Sequence, residues 1–311
     1  MVGTMLKATL LKAAGSAFLQ RQVTANPIAR RVADRFIAGN TLDEAEHAIR
    51  TLNAGGMSVA LDYLGENTES EAQARESTGA YLAAIDRIQD RGMDANISVK
   101  LTAMGLDIRQ DLALEEASRV AARGKEVGAM VGVDMEAAVY VARTLDIVEA
   151  LKRDYDNVGV CVQSYLYRSR DDLERLNRLG IPVRLVKGAY QEPPDVAYPE
   201  KASVDHAYAR MLDALLKANP YPMVATHDPA MVRLTKTLVA RHRRDRDSFE
   251  FQMLYGIRRD LQVSLVKEGY RVRVYVPFGK QWYPYFMRRL GERPANAAFV
   301  IRSIFGERGT V

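Results

Sequence analysis

Near the C-terminus, the run Tyr285-Phe286-Met287-Arg288-Arg289-Leu290-Gly291-Glu292-Arg293-Pro294-Ala295-Asn296 concentrates groups that can hold an anion. Helical spacing puts Tyr285, Arg288, Arg289 and Glu292 at i, i+3, i+4 and i+7, so one face carries an aromatic ring, two guanidiniums and a carboxylate. Adjacent cations repel unless something negative sits between them, and guanidinium forks suit a carboxylate or phosphate held by two parallel hydrogen bonds. Paired arginines are also common on solvated helices, so the segment alone leaves an anion site and a plain surface both open.

The elements that must position this face come earlier. After a helical opening to about residue 52, eight short apolar runs of β type occur at 57–61, 97–101, 130–133, 159–162, 183–186, 223–225, 249–253 and 272–276. Helix-period stretches separate them, at 69–89, 112–127, 137–152, 171–179 and 204–217 among others. Repeated βα units need right-handed crossovers and give a parallel sheet. Eight of them in 311 residues predict an α/β fold of the closed (βα)8 TIM barrel type. An open doubly wound sheet is the alternative, but no GxGxxG or Walker-type turn is present. Residues 1–52 read as a helical segment packed on a barrel formed by residues 53–311.

Barrel enzymes work at the C-terminal ends of their strands. Here those ends carry Asp134, Gln163, Lys187 and Thr226-His227-Asp228, with Lys100 inside the second run, Arg184 inside the fifth and Tyr275 inside the eighth. A charge in a buried strand costs several kcal/mol unless paired, so Lys100, Asp134 and Arg184 need partners. Each has a purely structural reading, in which Lys100 and Asp134 neutralise each other, Arg184 joins an ion pair lining the barrel, and His227 is a satisfied core group. Together with the 285–292 face they favour a site. The excess of Lys100, Arg184, Lys187, Arg288 and Arg289 implies ligands that bring negative charge.

Composition narrows the class. With 48% apolar residues and a formal charge of +5, the chain buries a large core, and its only basic block, Arg241-His242-Arg243-Arg244, reads as a solvated loop or helix end. Nucleic acid is not an expected partner. The lone Cys161 has no disulfide partner, which suits a reducing compartment, and no apolar run is long enough to span a bilayer. The first acidic residue is Asp34, and Leu6, Leu10, Leu11, Phe18 and Leu19 intersperse a cationic opening, which leaves an ordinary helix, a presequence or a membrane-surface helix open. Four histidines lack metal-binding spacing and G-x-S-x-G is absent, so a bound organic cofactor is the expected carrier of the chemistry.

The motifs Ser98-Val99-Lys100-Leu101, Val133-Asp134-Met135-Glu136, Val162-Gln163, Val183-Arg184-Leu185-Val186-Lys187-Gly188-Ala189-Tyr190, Ala225-Thr226-His227, Glu250 through Gly256, Arg273 through Gly279 and Tyr285 through Asn296 occur in one order. In this the chain resembles monofunctional bacterial proline dehydrogenases and the proline dehydrogenase domain of bifunctional proline utilisation flavoproteins, over roughly residues 57 to 305. The resemblance implies a distorted barrel whose last helix lies across the mouth. It also implies non-covalent FAD lying across the strand ends, which accounts for the missing glycine-rich turn. The implied reaction is oxidation of L-proline to Δ1-pyrroline-5-carboxylate by hydride transfer to flavin N5, the first step of proline catabolism to glutamate. A membrane quinone would take the electrons, and a downstream pyrroline-5-carboxylate dehydrogenase is a candidate partner. The implied location is cytoplasmic, with at most peripheral contact on the inner membrane face.

Residue by residue, the resemblance assigns Arg288, Arg289 and Lys100 to the substrate carboxylate, Asp134 to orienting that cationic cluster, and Arg184 to the neighbourhood of flavin N5. Tyr275, Leu254 and Tyr285 match the walls around the proline ring, with Tyr285 excluding a ring hydroxyl. Met135, Gln163, Lys187, Gly188, Ala189, Thr226 and His227 match cofactor contacts, Gly188 through close backbone approach, and Glu292 matches a ribose contact or a helix pair. Glu66 resembles a carboxylate that gates one of the arginines. Two other readings stay open: a barrel that binds anionic metabolites or lipid without catalysis, and a flavoenzyme for another secondary amine.

Overall fold

The computed structural model describes residues 16–292. It opens with α1 (Ala17–Ala25) and α2 (Pro27–Ala33). Asn26 between them accepts from the Ile28 and Ala29 amides, and Pro27 takes the first helical position, where its missing N–H costs nothing. Next comes α3 (Leu42–Ala54), which begins at a reciprocal cap: the Thr41 hydroxyl accepts from the Glu44 amide and the Glu44 carboxylate accepts from the Thr41 amide.

Eight strand–helix units follow. They are β1 (Ser58–Tyr63) with α4 (Glu71–Asp90), β2 (Ala95–Val99) with α5 (Gln110–Val127), β3 (Val131–Val133) with α6 (Val141–Asp154), and β4 (Val158–Gln163) with α7 (Ser169–Arg178). The second half has β5 (Val183–Val186) with α8 (Lys201–Ala218), β6 (Met223–Ala225) with α9 (Pro229–Arg241), β7 (Glu250–Leu254) with α10 (Arg259–Lys267), and β8 (Val272–Phe278) with α11 (Tyr283–Glu292). All pairings are parallel and β8 returns to β1, Val59 opposite Val274, so the barrel closes as the eight apolar runs predict. Strands covered on both sides need no alternation, and β4 is buried along its whole length. Helices bury one stripe each; in α6 it is Val141, Thr144, Leu145, Val148 and Leu151, at helical spacing.

The runs at 183–186 and 223–225 coincide with β5 and β6, and the rest shift at their ends by one or two residues. One shift changes the chemistry. Lys100, expected inside a strand, lies just past β2, because the apolar residues that follow, Leu101, Ala103 and Met104, are buried in a 3₁₀ turn (Thr102–Met104) and not in strand. The 241–244 run is the solvated helix end it was read as, with α9 ending at Arg241 and Arg243 exposed, except that Arg244 turns inward and donates to the carbonyls of Leu216 (2.6 Å), Ser248 (3.1 Å) and Asn219.

α3 packs from outside against both β1 and β8, the wall position that the helix after the last strand would otherwise fill. α11 instead joins a second apolar cluster with α1 and α2, including Val32, Phe36, Ile37, Trp282, Phe286 and Leu290, and Arg30 lies 5.3 Å from the Trp282 ring centre. Leu254 and Tyr275 pack on this cluster from β7 and β8, so α11 lies across the barrel mouth. The connecting chain is admitted by Gly256. Its φ is +74°, and a Cβ there would sit 1.7 Å from the Arg35 carbonyl oxygen. Beyond that crossing, Ala38 N–H donates to the Pro277 carbonyl at 2.8 Å and Gly279 N–H to the Gly39 carbonyl at 3.0 Å. Among the described residues, no helix is long and apolar enough to cross a membrane.

Candidate active site

The mouth of the barrel is built on an ion-pair network between strand ends. Lys100, one residue past β2, donates to both carboxylate oxygens of Asp62 in β1, at 2.7 and 2.8 Å. Its Nζ also lies 3.3 Å from the Tyr275 hydroxyl and 3.5 Å from Asp134 Oδ2. Asp134, one residue past β3, accepts from Arg184 Nη2 on one oxygen and from the Tyr275 hydroxyl at 2.6 Å on the other. Arg184 reaches Ser98 Oγ at 3.3 Å with its other arm and stacks 5.5 Å from the Tyr275 ring centre. Five groups from β1, β2, β3, β5 and β8 thus meet at one level.

Burial and charge set their protonation. Burial alone would depress the Lys100 ammonium, but Asp62 and Asp134 more than reverse this, so Lys100 stays charged well above its ordinary range. Burial pushes Asp62 up to about 6, against the pull of Lys100. For Asp134 the burial penalty is outweighed by Arg184 and Lys100, and its carboxyl falls below the ordinary range. Burial also drives the Tyr275 phenol upward, with Asp134 and Asp62 adding to it, so it remains a donor.

α11 supplies the opposite wall. Arg288 forms a fork with Glu66, in the loop after β1, at 2.5 and 3.1 Å, and lies 5.9 Å from the Tyr190 ring centre in the loop after β5. The buried Arg289 stacks on Tyr285 of its own helix, 5.3 Å from the ring centre. Leu254, Tyr275 and Tyr285 belong to the same apolar cluster. A cavity of about 340 Å³ opens between the loop after β1 and the start of α11, lined by Leu64, Glu66, Gln281, Pro284, Tyr285 and Arg288. The side chain of Glu292 lies outside the described residues.

The other half of the rim holds hydrogen-bonding side chains. Gln163 ends β4, buried, and donates to the Glu136 carbonyl at 2.8 Å, next to the buried Met135. His227 Nε2 accepts from the Leu254 amide at 2.9 Å, which assigns the ring proton to Nδ1 in the neutral form. Thr226 Oγ1 accepts from the Asp228 amide at 3.1 Å. Lys187 is held between Asp205 and Asp228, 3.0 Å from the latter. Ala189 follows, half-buried. Gly188 has φ +122°, and an added Cβ would meet the Tyr165 ring at 2.3 Å, so the aromatic packed against it is what requires glycine there.

Two expectations are corrected. Lys100 takes Asp62 as its close partner, with Asp134 farther off and committed to Arg184 and Tyr275. The mouth is also less cationic than the sequence count implied, because Lys100, Arg184, Lys187 and Arg288 each carry a carboxylate partner. Sequence reasoning missed Asp62, Asp205 and the fold role of Glu136. The signal for Asp62 was present: an acid inside the otherwise apolar β1. Glu136 is buried, accepts from the Thr102 amide at 3.1 Å and hydroxyl at 2.6 Å, and is pushed by burial up to about 7.

One side of the mouth thus carries Gln163, Thr226, His227 and a Lys187 held between two carboxylates, and the other a carboxylate-balanced cationic network beside an arginine-bearing helix. The family model for proline dehydrogenase matches residues 45–302. Proline dehydrogenase 2 of Bacillus subtilis (strain 168) is 42% identical over 292 residues, 92% of this chain and 96% of that protein. The proline dehydrogenase of Deinococcus radiodurans is 43% identical over 278 residues, 88% and 90% of the two chains. The bifunctional protein PutA of Escherichia coli (strain K12) is 27% identical, and the match takes up 24% of its length. Among solved structures, proline utilization A from Bradyrhizobium japonicum superimposes with a TM-score of 0.73 at 26% identity, covering 89% of this chain and 32% of the other. With a family model over most of its length and relatives above 40% identity along nearly their whole chains, this chain belongs to the proline dehydrogenase family.

Proposed function

We propose that this protein oxidises L-proline to Δ1-pyrroline-5-carboxylate with FAD, the first step of proline catabolism, and passes the electrons to a membrane quinone. The observation that carries the reading is the placement of Arg288, paired with Glu66, beside the Lys100–Asp134–Arg184–Tyr275 network, in a chain of this family. Relatives named proline dehydrogenase, matched along nearly their whole length, support proline as substrate.

The FAD would be held by Met135, Gln163, Arg184, Lys187, Gly188, Ala189, Thr226 and His227, with Glu292 a further contact. When bound, the flavin supplies the acceptor for the hydride that leaves the proline ring carbon next to nitrogen. The protein's part is to grip and orient. Arg288, Arg289 and Lys100 hold the substrate carboxylate, and for Arg288 this means exchanging the Glu66 carboxylate for that of proline. Their charges lower the pKa of the proline amine toward the free base that the reaction needs. Asp134 holds Arg184 and Tyr275 in place, while Leu254, Tyr275 and Tyr285 pack the ring and keep water from it. Tyr285 excludes a ring hydroxyl, so hydroxyproline is a poor substrate.

Residues 1–52 act as a helical cap on the catalytic barrel of residues 53–311. The enzyme works in the cytoplasm, with peripheral contact at the inner membrane face where the quinone is met, and a pyrroline-5-carboxylate dehydrogenase consumes the product. The test is optical. Purified protein should be yellow, and its flavin absorbance should bleach anaerobically on addition of L-proline; protein that stays colourless after reconstitution with FAD would favour a non-catalytic barrel. Steady-state rates with proline, N-methylproline, pipecolate and hydroxyproline separate proline from other secondary amines.

A further inference from the structure

We propose that Asp62 is a positioning residue of the substrate site, acting through Lys100: it fixes the ammonium that grips the substrate carboxylate. This rests on the proline reading of the same site and adds a residue to it.

Asp62 is fully buried in β1, opposite Ser98 in β2 and Pro277 in β8. An ammonium has three donors. Two of those on Lys100 are taken by the two oxygens of Asp62, at 2.7 and 2.8 Å, and the third, on a long 3.3 Å contact with the Tyr275 hydroxyl, is the one that can turn to an incoming carboxylate. Asp134 is the weaker partner, since its oxygens also serve Arg184 and Tyr275 and it lies 3.5 Å from Nζ. The groups facing Lys100 are Asp62 from β1, Glu66 from the loop after β1, Tyr81 from α4, Asp134 and Glu136 past β3, Tyr190 past β5 and Tyr275 from β8; Glu136 titrates in both the wild type and the Asp62 variant, so the comparison between them isolates Lys100. Of these carboxylates, Asp62 alone bonds Nζ with both its oxygens. Burial favours the neutral amine, so without the Asp62 charge the lysine sheds its proton at a lower pH, and a neutral amine is a weak anchor for an anion.

The alternative is a core ion pair with no bearing on ligand. The two are separated by binding of tetrahydro-2-furoate to the FAD-loaded enzyme, measured by calorimetry from pH 6.5 to 9. This probe keeps the carboxylate and five-membered ring of proline but carries oxygen in place of nitrogen, so it does not titrate, and any pH dependence belongs to the protein. For the wild type a nearly flat affinity over this range is expected. For Asp62→Asn, affinity should fall at least tenfold across the range, with flavin content retained. A double-mutant cycle supplies the second arm, and it also holds if Asp62→Asn alone fails to fold: Lys100→Met and the double variant Asp62→Asn/Lys100→Met should bind the probe within about twofold of each other, because Asp62 acts only through the lysine. Asp62→Asn with wild-type affinity at every pH would overturn the proposal, as would a double variant tenfold weaker than Lys100→Met. Failure of the wild-type holoenzyme to bind the probe or to bleach with proline sinks the proline reading itself.

Discussion

The Arg288 guanidinium and the Glu66 carboxylate, 222 residues apart in sequence, form a two-point ion pair at 2.5 and 3.1 Å across the barrel mouth. Both groups are largely withdrawn from water, and their charges reinforce each other: Glu66 is held below the ordinary carboxylate range despite burial, and Arg288 is raised despite burial. The pair ties the last helix to the first βα loop, so whatever enters there meets this contact.

Arg288→Ala and Arg289→Ala are expected to raise the KM for proline by about 10- to 100-fold each, the range for losing one charge-assisted fork to a carboxylate, with flavin occupancy unchanged. Steady-state kinetics alongside the flavin-to-protein absorbance ratio checks this. Loss of flavin with normal kinetics in the remaining holoenzyme would remove both residues from the substrate site.

Arg184→Lys keeps the charge yet loses the planar fork that serves Asp134 and Ser98 together. The expected outcome is a flavin that is harder to reduce and a lower kcat, at a KM changed less than by the arginine-to-alanine variants on α11. Potentiometric titration of the bound flavin reads the first effect directly. An unchanged potential would leave Arg184 as a core ion-pair member only.

Glu136 gives stability a pH dependence. Burial raises its carboxyl to about 7 from an ordinary 4.5, so the folded protein binds this proton more tightly than the unfolded chain. The contribution is fully present below about pH 4.5 and is lost as pH rises through about 7, for a total of about 3 kcal/mol. Glu136→Gln mimics the protonated form and should gain on the wild type by up to that amount between pH 5 and 8, as measured by urea unfolding. Parallel curves for the two proteins would show that Glu136 does not titrate in this range.

Gly256→Ala places a methyl group 1.7 Å from the Arg35 carbonyl oxygen at a φ of +74°. Backbone atoms must move, so destabilisation by more than about 3 kcal/mol is expected, roughly 6–12 °C in Tm for a chain of this size. Limited proteolysis should cut first between α2 and α3. A melting curve like that of the wild type would mean that the crossing relaxes freely.

The barrel was legible because eight apolar runs at regular spacing leave little choice of topology, and burial on both faces is what makes those runs continuous. Strand ends were less legible. Lys100 was read as strand because Leu101 and Met104 bury their side chains in a 3₁₀ turn as a strand residue would. Strand-end position and helical spacing brought Asp134, Arg184, Tyr275 and Arg288 together before any resemblance was drawn, and the structure links the first three by hydrogen bonds with Arg288 close by. What escaped was pairing. Asp62 lies in β1 and its partner just past β2, and which acid meets which base depends on the inward direction of adjacent strands, a property of the closed barrel that no local window contains. Lys187 escaped similarly, since Asp205 belongs to α8 and Asp228 is the cap of α9.

α3 fills the wall between β1 and β8, and α11 packs instead with α1 and α2 at the barrel mouth. Among the described residues, the helix before the first strand completes the barrel wall, while the helix after β8 borders the cavity at the mouth through Pro284, Tyr285 and Arg288. Substitutions there reshape that opening without unpicking a single strand pairing.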